Sequence, residues 1–212
     1  MLKKLASLLV FANFCHAATA APDTSWRLIT RKGSIAVYNK STPGQAMDAF
    51  KGVGSDNVPM AVLEKTLLDL PGYLTWVPNL KQSRIVKHLT PDSFLAYLRF
   101  SVPMPFEDRD ILVQVDITRN GPGGRMSAMM KAVNDRICPP VKGVVRITKM
   151  TGEIMARPVS ATVTEGSYSE RLDLDGNVPA WVNGYIAKEI PPKILANLLT
   201  ECHRRMDAAK GK

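Results

Sequence analysis

Pro179 to Ala209, PAWVNGYIAKEIPPKILANLLTECHRRMDAA, is the stretch that decides the architecture. Ile186, Ile190, Ile194 and Leu198 recur every four residues, with Cys202 and Met206 continuing the series. That spacing puts an apolar stripe on one side of a long, otherwise polar helix. Pro191-Pro192 lies inside it, and two adjacent prolines remove two N–H donors, so a kink or break is expected there. An amphipathic helix of this length needs an apolar partner surface.

The rest of the chain supplies one. Trp26–Thr30 and Ile35–Asn39 read as short strands joined at Lys32-Gly33, and Ala46–Gly54 as a third. Pro59–Leu70 has helical spacing through Met60, Leu63, Leu67 and Leu70, with Asn57 as a cap and Pro59 in the first turn. Alternating β patterns follow over 83–88, 94–100, 110–118, 125–133, 144–155 and 161–174, punctuated by Asn120-Gly121-Pro122-Gly123-Gly124 and by Asp173-Leu174-Asp175-Gly176-Asn177. The fold class is α+β: an antiparallel sheet with one face to bury, and a C-terminal helix to cover it. A helix standing off the sheet would leave an apolar cavity; a close-packed core is the alternative, and periodicity leaves both open.

The chain has 212 residues, with 28 Lys+Arg against 19 Asp+Glu and 45% hydrophobic residues. This is the composition of one ordinary globular domain. Its N-terminus reads as an address. Lys3 and Lys4 precede the apolar run Leu5–Phe14, and Ala18-Thr19-Ala20 offers small residues for cleavage. Residues 1–20 are therefore expected to be a signal peptide and 21–212 the mature domain, exported to a Gram-negative periplasm. Cys138 and Cys202 then remain, either to pair in an oxidising compartment or to stay as two buried thiols. Export and the lack of a basic run interleaved with aromatics argue against nucleic acid.

Catalytic signatures are sparse. Neither His88 nor His203 belongs to an HExxH motif, and no CxxC motif occurs, so no metal is expected. Gly166-Ser167-Tyr168-Ser169-Glu170 only superficially matches a nucleophile elbow and lies in a β pattern. Cys138 stands before Pro139-Pro140 and would serve as a nucleophile only beside a histidine. The pairs Asp108/Asp110 and Asp173/Asp175 read as loop and turn chemistry, since the further positions of a calcium loop do not fit. No catalytic residue and no cofactor is assigned.

Three segments together resemble the START family, the lipid-transfer domains related to steroidogenic acute regulatory protein. They are Phe50-Lys51-Gly52-Val53-Gly54 followed by a helix and Trp76-Val77-Pro78; Pro103-Met104-Pro105-Phe106-Glu107-Asp108-Arg109-Asp110 leading into Ile111-Leu112-Val113; and Asp175-Gly176-Asn177-Val178-Pro179-Ala180-Trp181-Val182-Asn183. The resemblance implies a helix-grip fold, a curved antiparallel sheet wrapped around a long C-terminal helix, with one lipid or other hydrophobic small molecule in a tunnel between them. It also implies transient contact with a membrane surface. The ligand-binding residues expected on it are Trp76, Tyr97, Arg109 and Tyr168, with Trp181, Tyr185, Ile186 and Ile190 on the inner face of the helix, Pro191-Pro192 as its flexible point and Lys188 and Lys193 facing headgroups.

In some sterol-binding relatives the arginine of this motif is buried against an acid on the next strand. Here Phe94–Ser101 holds no acid. Arg109 is left with Glu107, Asp110, a more distant acid, an anionic lipid headgroup, or a surface ion pair. Three functions stay in view: an exported lipid carrier, a polyketide cyclase-like enzyme on the same scaffold, and a non-catalytic lipid sensor.

Overall fold

The computed structural model describes residues 25–41, 48–176 and 178–211. The expected signal peptide, Ala46-Met47 of the expected third strand, and Asn177 lie outside the described residues. The elements run β1 (Arg27–Lys32), β2 (Ile35–Lys40), β3 (Ala49–Asp56), α1 (Met60–Leu68), a 3-10 turn (Pro71–Thr75), β4 (Leu80–Thr90), β5 (Ser93–Phe100), β6 (Asp108–Arg119), β7 (Met126–Ala132), β8 (Val144–Arg146), β9 (Lys149–Pro158), β10 (Thr164–Asp173) and α2 (Ala180–Lys210). All strands join one curved ten-stranded sheet in the order β1-β2-β3-β10-β9-β7-β6-β5-β4, every step antiparallel, while β8 runs parallel to β6 off this path.

Three expectations are corrected. The pattern over 144–155 divides into β8 and β9, because Ile147 N–H donates to the Asp110 carbonyl (2.8 Å) and Thr148 gives its N–H and hydroxyl to the Asp175 carboxylate (2.7 and 2.8 Å). Those bonds redirect the chain between the two strands. Helix α1 is capped at Pro59 with no side-chain cap, and Asn57 plays no such part; its N–H turns back to Asp56 Oδ1. Helix α2 continues through Pro191 and Pro192. Each proline removes one hydrogen bond four residues back, about 3 kcal/mol in an isolated helix. Here the apolar stripe on both sides of the pair is held against the sheet and α1, which offsets that cost.

The helix is held most firmly beyond the prolines. Glu201 accepts from Arg204 and Arg205, and Arg205 reaches Asp69 at 2.6 Å, just past α1. Asn197 donates to the Trp76 carbonyl (2.8 Å), and His203 meets Asp56 of β3 (3.0 Å). The Glu201 carboxyl is drawn down from 4.5 to about 2, first by its hydrogen bond from Arg204 and then, against the cost of burial, by that from Arg205.

The centre of the sheet is buried on both faces. In β5 and β6 runs of consecutive residues are inaccessible. On the outer face, the segment between β7 and β8 folds over Leu95, Tyr97 and Leu112 and inserts Cys138. The chain passes there as a free thiol: Cys138 and Cys202 are both buried and unpaired with each other. Arg146 grips Asp110 with Nε (2.6 Å) and Nη2 (3.1 Å), Tyr97 donates to Asp110 Oδ2 (2.9 Å), and Arg146 Nη1 reaches the Cys138 carbonyl (3.1 Å). Burial, then the Asp110 hydrogen bond, pushes the Tyr97 phenol up to about 12.

Two stability measurements follow from these networks. Asp110→Ala orphans a buried guanidinium and is expected to lower unfolding free energy by about 3–5 kcal/mol in urea, while Asp110→Leu combined with Arg146→Met returns most of it. The Glu201 carboxyl is depressed in the folded state, so its contribution is complete above pH 4.5 and is lost as pH falls toward 2. An acid titration of stability should show Glu201→Gln losing less than the wild type across that window, by up to about 3 kcal/mol.

Candidate functional site

On a strand, alternate residues share a face, and paired residues across an antiparallel ladder face the same way. The pairings therefore define the inner wall. Phe94, Ala96 and Leu98 of β5 stand beside Val115, Val113 and Ile111 of β6. Met126, Ala128 and Met130 of β7 stand beside Ala156, Ile154 and Gly152 of β9. Gly52 and Gly54 of β3 oppose Tyr168 and Gly166 of β10. Several of these inner positions carry Ala or Gly where a Leu or Phe would fill the space.

A cavity of about 320 Å³ lies between this wall and the two helices. Its helical side is formed by Leu63 and Leu67 of α1 and by Ile186, Ile190, Pro191, Ile194 and Leu198 of α2. Gly52 allows the helix its closest approach: a Cβ there would fall 2.0 Å from Leu195 Cδ1. The cavity is not closed up by collapse because the helix is propped on both sides, by this contact and by α1.

Few polar groups reach the wall. Tyr168 donates to Glu170 within β10, and its ring stands edge-on to Phe50 at 5.2 Å. Burial pushes both groups up: the Glu170 carboxyl above its ordinary value, and the Tyr168 phenol well above its own with Glu170 adding to the effect. Among the described residues, the buried Trp76 indole N–H faces no partner, and the Thr164 hydroxyl is likewise unpaired. Each of these residues lines the cavity.

Arg109 lines it too, and is 3% exposed. The surface ion pair is thereby excluded. So is pairing with its neighbour Asp110, since consecutive residues of β6 point to opposite faces and Asp110 goes outward to Arg146. The guanidinium instead donates to backbone carbonyls: Nη1 to Glu107, Nε to Leu174 and Nη2 to Asp175, the last two at 3.4 Å.

Of the eight residues singled out by sequence, Trp76, Arg109, Tyr168, Ile186 and Ile190 meet at the cavity, and three stand elsewhere. Tyr97 is 2% exposed but on the outer face, at the wrong parity between Ala96 and Leu98. Trp181 and Tyr185 are 66% and 45% exposed. Tyr185 sits one helical step, about 100°, from Ile186, which turns it away from the wall. Its ring meets Lys193, and Trp181 meets Phe106 at 6.1 Å between centroids. Sequence reasoning missed Glu170, the partner of Tyr168. Its spacing of two on a strand was the available signal. It also missed the small inner residues, visible as Phe94-x-Ala96-x-Leu98 and Met126-x-Ala128-x-Met130.

Residues 21–206 match the family model described as START domain. An uncharacterized protein of Pseudomonas aeruginosa is 25% identical over 199 residues, covering 94% of this chain and 96% of that protein. The crystal structure of a STAR-related lipid transfer protein fragment from Xanthomonas axonopodis superposes with a TM-score of 0.74 at 25% identity, covering 84% of this chain and 98% of that one. The Zhui aromatase/cyclase from Streptomyces sp. R1128 shares the fold at a TM-score of 0.58 and 15% identity, over 76% of this chain and 96% of its own. With the sheet, the clasped helix and a match spanning residues 21–206, the chain belongs to the START domain family.

Proposed function

We propose that the protein is an exported carrier that holds one lipid or similar hydrophobic molecule between the sheet and α2. The observation that carries this reading is the apolar cavity beneath a helix that its neighbours keep off the sheet. Each methylene moved out of water contributes about 0.8 kcal/mol, so a chain of roughly fifteen costs on the order of 12 kcal/mol to expose. A protein wall that replaces the membrane as solvent removes that barrier, and it needs no reacting group. The leader at residues 1–20 would place the carrier in the periplasm, between two membranes.

Contact with a membrane belongs to the same proposal. Met104 is 92% exposed two residues before Phe106, whose ring meets Trp181, and Tyr185 is exposed one turn further along α2, which together make an apolar rim near the start of that helix. Neighbouring Lys188 is exposed and suits an anionic surface. Val102 and Ile186 connect this rim to the cavity wall. Lipid would enter here as the first half of α2 moves about the proline pair, while the Glu201 network holds the second half.

A second reading rests on the Tyr168–Glu170 pair, a phenol and a raised-pKa carboxyl side by side on the wall. On the scaffold of a cyclase such a pair could move a proton, and the Zhui aromatase/cyclase supplies the precedent of fold. Turnover of a linear polyketide, abolished by Glu170→Gln, would establish it over carriage.

Native mass spectrometry of protein purified from its own host should find one bound lipid, and vesicle assays should detect its movement between membranes; a bound lipid that never moves would make the protein a sensor. Ala128→Trp, which fills the cavity, is expected to weaken lipid binding by at least about tenfold, or ~1.4 kcal/mol, while Tyr97→Phe on the outer face leaves it unchanged. Met104→Asp should slow vesicle transfer with little effect on equilibrium affinity. An Ala128→Trp protein that binds as well as the wild type would end the proposal.

A further inference from the structure

The charges around the cavity are not distributed evenly. Of the two arginines at the junction of β6 and β8, Arg146 has a carboxylate, in Asp110, while the more deeply buried Arg109 has none among the described residues. The acids near Arg109 in sequence and space are occupied elsewhere. Asp108 takes Lys81 and Arg99, Asp110 takes Arg146 and Tyr97, and the Asp175 carboxylate takes the Thr148 N–H and hydroxyl. Asp173 lies by Lys149, and Glu107 is exposed and offers only its carbonyl. Of the three acids lining the cavity, Asp48 accepts from Asn39, Asp56 meets His203, and Glu170 is engaged by Tyr168, with burial favouring its neutral form.

A guanidinium that is 97% out of water and meets, among the described residues, carbonyl dipoles but no carboxylate has no compensating charge among them. Arginine has five N–H donors in a planar fork. Three go to the carbonyls of Glu107, Leu174 and Asp175, so one remains on each terminal nitrogen. That is the number a carboxylate or phosphate takes in a bidentate grip. The wall beyond Arg109 is apolar: its nearest inner neighbours along and across the strands are Ile111, Phe100 and Leu98.

We propose that Arg109 is the anion anchor of the cavity, and that the natural ligand is a single-chain amphiphile whose carboxylate or phosphate head pairs with it. The inference rests on the reading of the cavity as a lipid site and adds the chemistry of the head. A volume of about 320 Å³ sits at the low end of the roughly 300–1,000 Å³ usual for small-molecule sites, which favours one chain over two. The head would sit at the root of α2, where Arg109 already holds the carbonyls of Leu174 and Asp175, with the tail running under Ile186 and Ile190.

The test is equilibrium binding of the mature chain to matched single-chain amphiphiles: oleate, oleoyl lysophosphatidate and neutral oleyl alcohol. The wild type is expected to bind both anions at least about tenfold more tightly than the alcohol, a difference of ~1.4 kcal/mol, and whichever anion is tighter identifies the head as carboxylate or phosphate. Arg109→Gln should erase this preference while its affinity for oleyl alcohol stays unchanged. Equal affinities for anion and alcohol in the wild type overturn the anchor even if the variant does not fold, and leave lipid carriage standing. An equal loss for all three in a folded Arg109→Gln protein makes Arg109 a structural staple and likewise overturns it. Failure of the wild type to bind any of the three overturns the cavity reading itself, and the anchor with it.

Discussion

The architecture depends on a mismatch between a wide apolar surface and the single long helix available to cover it. A curved antiparallel sheet turns the inner faces of its strands toward α2, and that surface must leave water. The helix does not fill the hollow. Ala96, Ala128, Ala156 and Gly166 shorten the inner wall, while α1 and the Gly52–Leu195 contact limit how far α2 can sink. A close-packed interior is the usual outcome of folding. Here small residues in matched register on neighbouring strands prevent it.

Strand parity divides the polar chemistry between the two faces. Arg109 and Asp110 are consecutive in sequence, and a pairing between them looks natural until the strand is built. Alternation then sends one inward and the other outward. On the outer face Asp110, Arg146 and Tyr97 satisfy one another beneath the segment that carries Cys138. That group is a structural lock, closed and far from the cavity. Around the cavity, and among the described residues, the charge of Arg109 meets only carbonyls, and Trp76 and Thr164 keep unpaired polar atoms. Buried polar atoms without partners are uncommon in folded proteins. On the proposed function, those that line the cavity mark the side of the sheet that receives a ligand.

The same parity explains what was legible beforehand. The order of strands and helices could be read from periodicity, because alternation by two and recurrence by four are local properties. The inward direction of Ile186 and Ile190 followed from the stripe they share with Ile194 and Leu198. Tyr97 was misplaced because an aromatic residue in a sheet is apolar enough for either face, and only its neighbours Ala96 and Leu98 fix which one. Trp181 and Tyr185 were misplaced because the inner face of α2 is narrower than the run of large residues near its start. The hollow itself was the least legible feature. It depends on Gly54, Gly166 and Ala156 standing opposite one another across β3, β10 and β9, with Ala128 diagonal to Ala156, and such coincidences of register cannot be seen until the strands are paired.

On the proposed function, helix α2 unites two requirements that usually conflict. A lid must move, and a core helix must not. The chain separates them along one element. Beyond Pro192 the helix is fastened by Glu201, Arg205, Asn197 and His203 to three other parts of the fold. Before Pro191 it is held by the buried Val182 and the half-buried Ile186 and Ile190, with Trp181 and Tyr185 in solvent. The proline pair between the halves leaves two carbonyls without helical partners, so bending there breaks fewer hydrogen bonds than bending elsewhere. A guest in the cavity would restore dispersion contacts that the small wall residues forgo, and would do so only while Ile186 and Ile190 are seated. Binding to the closed form alone stabilises that form by mass action. On the proposed function, then, occupancy itself closes the helix, and an apolar membrane surface, which solvates the guest and the exposed rim together, is what opens it.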